Sequence, residues 1–63
     1  MFVIRCVTFN DYYGKEKDGL IKWERYIEDA QMFETKQQVE QMIAILSSED
    51  DGLIEYEAIK VNN

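Results

Sequence analysis

Sixty-three residues without a long linker are expected to form a single small domain spanning residues 1–63. Thirteen acidic residues against seven basic ones give a formal net charge of −6, which disfavours nonspecific attachment to nucleic acid or anionic lipid and favours a basic partner. With no histidine and one cysteine, Cys6, the chain lacks a zinc donor set, a Cys–His catalytic pair and an internal disulfide. A cytosolic setting and no cofactor are therefore expected.

Phe2 to Phe9 is the first predicted strand. Phe2, Ile4, Cys6 and Thr8 point one way and Val3, Arg5, Val7 and Phe9 the other, so both faces are largely apolar. The run is interrupted by Arg5, has no basic region before it and is too short for a signal peptide or a membrane span. Asn10 to Gly19 is polar and turn-rich and reads as a hairpin connection. Asp18-Gly19 suits a two-residue type I′ turn, but that register opposes Lys15 to Lys22 and places Gly14 mid-strand. A longer, looser loop is an equal alternative.

Leu20 to Ile27 is the second predicted strand, with Ile21, Trp23 and Ile27 on one face. Glu28-Asp29 turns the chain, with a short extra strand allowed near Ala30–Phe33 and Phe33 in the core. Thr35 to Ser48 reads as the one amphipathic helix. Thr35 is the N-cap and Gln38 completes a capping box; Val39, Met42, Ile43 and Leu46 follow at the spacing of one buried face. Ile45 lies about 110° from the centre of that stripe by the 100° per residue rule, on its flank. Ser47 to Gly52 is a polar connector, and Leu53 to Val61 is the last strand, with Ile54, Tyr56 and Ala58 on one face.

The order β-β-α-β predicts an α+β two-layer sandwich, one helix on one face of a small antiparallel or mixed sheet. Val3, Val7, Phe9, Ile59 and Val61 then form an apolar stripe on the uncovered face, which together with Ile45 is the expected oligomer or partner surface. A domain of this size buries only about 60% of the surface its unfolded chain exposes, so a homodimer or a bound partner is a natural supplement.

Candidate chemistry is sparse. Cys6 lies in an apolar strand without a histidine to activate it, and reads as a small hydrophobe. Glu55 and Glu57 share a strand face but have no pocket that the sequence can argue around them. Asp50-Asp51-Gly52 lacks the alternating ligands and closing glutamate of a calcium loop. No catalytic residue is expected. Tyr12, Tyr13, Trp23 and Tyr26 alternate with Lys15, Lys17, Lys22 and Arg25, a pattern that stacks and steers single-stranded nucleic acid elsewhere. Asp11, Glu16, Asp18 and Glu24 neutralise it, so this module is the alternative reading and not the leading one. Residues 33–63 hold seven acids and two bases, a net of −5. Their Glu49, Asp50, Asp51, Glu55 and Glu57 are the expected contacts for a basic protein partner.

The segment Glu28-Asp29-Ala30-Gln31-Met32-Phe33-Glu34-Thr35 follows a Trp-containing strand and precedes the amphipathic helix. In this it resembles small phage- and prophage-encoded accessory proteins, which carry (Glu/Asp)-Asp-Ala-x-x-Phe-x-(Ser/Thr) between a hairpin and a helix–strand unit. The resemblance covers most of the chain, and its motif is structural: a turn, two core residues and a helix cap. It implies a compact intracellular protein of a virus or mobile element. Acidic members of that class often block host nucleases and other defence factors, sometimes by imitating DNA charge. The resemblance therefore implies a phage-type inhibitor or modulator of a host protein. The short, mixed-charge hairpin departs from a DNA mimic, and no functional residue carries over.

Overall fold

Alternating apolar side chains make Phe2–Cys6 a strand with two buried sides, and this strand, β1, takes an interior place in the sheet. The computed structural model describes residues 1–62. Beside β1 run β2, Asp11–Lys17, then β3, Leu20–Glu24; β4, Tyr56–Lys60, adds to its other side after the helix α1, Lys36–Glu49. The four strands are ordered β3-β2-β1-β4, every neighbour antiparallel, and α1 packs on one face. The class is the expected α+β pair of layers, with one strand more than predicted.

That extra strand comes from the hairpin. Asp18 and Gly19 both have positive φ, 55° and 77°, and Lys17 pairs with Leu20, which is the tight two-residue turn. Between Tyr13 and Glu16 the register shifts by one residue, so Gly14 and Lys15 together face Lys22. This β-bulge gives Gly14 its place within the strand, and the Lys22 ammonium, still opposite Lys15, is offset by Glu24 at 3.7 Å on its own strand. It also decides which side the aromatics occupy. Without it Tyr13 would pair with Glu24 on the face away from the helix; with it Tyr13 pairs with Trp23 and both enter the core.

Other boundaries differ from the predicted ones. β1 ends at Cys6 and not at Phe9, because Val7 to Asn10 forms a four-residue loop closed by Asn10 at φ 58° and by the Asn10 N–H donating to the Cys6 carbonyl at 2.8 Å. β3 stops at Glu24, short of Ile27, and Ile27–Asp29 is a 3₁₀ turn. β4 begins at Tyr56 and not at Leu53, although the Val7 N–H still donates to the Glu55 carbonyl at 2.8 Å. Near Ala30–Phe33 the allowed extra strand is a single bridge, Phe2 to Phe33.

The helix starts as its sequence predicts. The Thr35 hydroxyl accepts from the Gln38 N–H at 3.1 Å, and Gln38 Oε1 accepts from the Thr35 N–H at 3.3 Å. Val39 and Leu46 are its buried residues and close a core with Ile4 and Tyr13, flanked by Phe2, Ile21, Trp23, Phe33, Met42, Ile43 and Tyr56. No helix among the described residues is long and apolar enough to cross a membrane.

Candidate functional site

The far end of α1 leaves a groove between helix and sheet of about 330 Å³. Strand alternation directs Cys6 and Asp11, paired across β1 and β2, to the helix side, and the bulge sends Ile21 and Trp23 to the same side. Leu46, Glu49 and Asp50 line it from the last helical turn, and Ile54 and Tyr56 from the start of β4. Phe9 closes its mouth, 66% exposed on the short loop after β1.

Trp23 anchors this end. Its ring meets Tyr13 edge-on, centroids 5.8 Å apart at 88°, and lies nearly parallel to Tyr56, centroids 6.1 Å apart at 16°. The Tyr56 hydroxyl donates to Asp50 Oδ2 at 2.8 Å. Asp50 also caps the helix end, where its Oδ1 accepts from the Gly52 N–H at 3.0 Å and left-handed Asp51 and Gly52 turn the chain toward β4. Asp11 is less well provided for. Its Oδ1 is buried without a hydrogen-bond partner among the described residues.

The electrostatics have one sign. Glu49, Asp50 and Asp51 stand at the carbonyl end of α1, whose dipole is already negative there, and its last turn holds no base. Burial pushes the Tyr56 phenol well above its ordinary pKa, helped by the bond to Asp50 and by the charges around it. Tyr13 is raised by burial too, then by Glu16 and Glu49. An unfolded tyrosine ionises near pH 10.0, whereas folded Tyr56 holds its proton beyond that. Its contribution to stability is complete below pH 10 and is lost as the pH rises from there toward the folded value. Urea unfolding of wild type should therefore weaken above pH 10, and Tyr56→Phe should flatten that decline while costing about 1 kcal/mol at neutral pH for the lost hydrogen bond. An unaltered alkaline decline would assign it to other groups.

The structure separates the residues expected to act together. Of the five acids, Glu49 and Asp50 reach the groove and Asp51 follows them in the turn. Glu57 lies on the opposite sheet face, tied to Arg5 at 3.1 Å, and Glu55 is exposed just before β4. The expected apolar stripe also changes. Val3 is fully buried opposite Ile59 on an interior strand, so it offers no surface. Phe9 leaves the stripe altogether, because the loop that ends β1 carries it to the groove. Val7, Ile59 and Val61 remain half-buried on the far face, and Ile45 is exposed beside Met42 and Phe33 on the helix flank.

Asp11, Ile21, Leu46, Ile54 and Tyr56 belong to the groove and were not expected at a binding surface, and Trp23, which joins them, was expected at one only in the nucleic-acid alternative. The signal for Asp11 was Asn10, a residue that tolerates the left-handed conformation and so ends a strand. The signal for the acidic end was a helix whose last residues are acidic without a compensating base. No family model matches this sequence, and no curated protein or solved structure matches it either.

Proposed function

We propose that this chain is a non-enzymatic, acidic protein-interaction module that binds a basic protein surface with the end of the fold where α1 terminates. One observation carries the reading: Glu49 stands in the last helical turn at the negative end of the dipole with no base beside it, where its charge works against the helix. A local rule broken without a gain in stability is what a binding surface looks like. Glu49→Gln should accordingly raise stability, by about 0.3–1 kcal/mol in urea unfolding, while weakening partner binding. A loss of stability would mean that Glu49 serves the fold.

The resemblance to phage-encoded accessory proteins makes a host protein in the cytoplasm the natural partner, with inhibition or modulation as the outcome. The test is a pull-down from host lysate with wild type and the Glu49→Lys, Asp51→Lys, Glu55→Lys triple variant. A partner retained by wild type and lost by the variant is expected; equal recovery overturns the charge-based reading. The proposal extends to a homodimer through the half-buried Val7, Ile59 and Val61, and a strictly monomeric mass by light scattering removes that part.

The nucleic-acid reading has less support, since Tyr13 is 3% exposed and Trp23 packs edge-on against it. A gel shift with single-stranded DNA at low salt would revive it.

A further inference from the structure

The groove at the helix end combines three features. Its walls include three aromatic rings, those of Phe9, Trp23 and Tyr56. Its charged lining is acidic throughout, Asp11, Glu49 and Asp50, and no basic residue contributes. Its volume of about 330 Å³ stands at the small end of ligand clefts, room for one side chain and too little for a helix or a folded segment.

We propose that this groove receives an arginine side chain presented by the basic protein partner. The proposal rests on the reading of a basic partner given above and adds where, and by what chemistry, that partner is gripped. A guanidinium is planar and weakly hydrated, so it lies against aromatic faces at little desolvation cost while its five N–H groups reach surrounding carboxylates. Lysine offers a compact, strongly hydrated charge that matches such walls less well. Asp11 sharpens the fit: it lines the groove, and its Oδ1 has no hydrogen-bond partner among the described residues, so its acceptor capacity is not spent within the fold. The carbonyl end of α1 adds to the same attraction. Phe9, held exposed at the mouth, gains cover for its ring when the arginine stem passes over it.

Trp23 is the chain's one tryptophan and lines the groove, so its fluorescence reports occupancy directly. Titration with a tetra-arginine peptide at low salt should give a saturable change, which the neutral isostere tetra-citrulline should not reproduce. Tetra-lysine should bind about threefold more weakly or worse. Asp11→Asn should weaken the arginine peptide about tenfold and Phe9→Ser about threefold. Glu28→Gln, which removes one charge outside the lining, should leave its affinity unchanged. Phe9→Ser alters a mostly exposed ring and leaves the core untouched, so an absent effect there is not a folding artefact.

Lysine binding as tightly as arginine, or Asp11→Asn and Phe9→Ser acting no more strongly than Glu28→Gln, would overturn the proposal. So would dissociation of a dimer by the peptide, which would place a second copy's side chain in the groove. If the groove variants are inert while the triple charge reversal still releases the partner, the groove inference fails and the interaction module stands. If neither set affects partner binding, both fail.

Discussion

Ile4→Ala is expected to leave the chain largely unfolded at room temperature. Ile4 has no exposed surface and sits on an interior strand, where it closes the core with Tyr13, Val39 and Leu46. Truncating a buried isoleucine to alanine costs about 2–5 kcal/mol, because the methylenes return to water and a cavity remains. A single core in so short a chain rarely supplies more than about 3–5 kcal/mol in all. Urea titration followed by Trp23 fluorescence should show no stable native baseline, and Ile4→Val, costing about 0.5–1.5 kcal/mol, should keep one. A wild-type midpoint for the alanine variant would move the energetic centre elsewhere.

Gly14→Ala is expected to be nearly as damaging, for a different reason. A Cβ at Gly14 would run into the Lys22 carbonyl oxygen and stand 2.9 Å from Glu24 Cγ. The first obstacle is backbone of the paired strand, so relief requires β3 to move. Overpacking of this kind costs about 1–3 kcal/mol and sometimes more. Because the bulge at Gly14 also sets which side Tyr13 faces, the variant should disturb the Tyr13–Trp23 pair and the groove with it. Near-ultraviolet circular dichroism reads that aromatic packing. An unchanged aromatic signal together with an unchanged urea midpoint would show that the close approach relaxes without consequence.

Both variants bear on the functional proposals, since the groove is assembled from parts that the core aligns. Trp23 reaches it because the bulge turns Tyr13 and Trp23 to one side, and Tyr56 because β4 pairs with β1 in the register that sets Cys6 opposite Tyr56. Loosening either pairing should cost peptide binding at Trp23 before the fold is wholly lost. The Glu49→Gln change should do the reverse, binding less while folding better.

Local chemistry was legible in the chain wherever its cause lies within a few residues. Thr35 and Gln38 announced the helix start, the 3.6-residue spacing of Val39, Met42, Ile43 and Leu46 its buried face, and alternation the strand character of Phe2–Cys6. Net charge and the acidic excess of residues 33–63 were equally plain, although the sequence placed Glu49 in the connector after the helix and the structure places it in the last helical turn. Tertiary structure alone decided the rest. The polar run Asp11–Lys17 became a strand because its partners on both sides supply the hydrogen bonds and the burial that its own composition does not advertise. Whether Gly14 lies in a loop or in a bulge depends on the Lys22 backbone, which stands eight residues along the chain and in direct contact across the sheet. Phe9 and Asp11 joined Glu49, Asp50 and Tyr56 only when the short loop after β1 met the end of the helix. A groove made by three segments distant in sequence has no local signature, because no residue within reach along the chain determines what faces it.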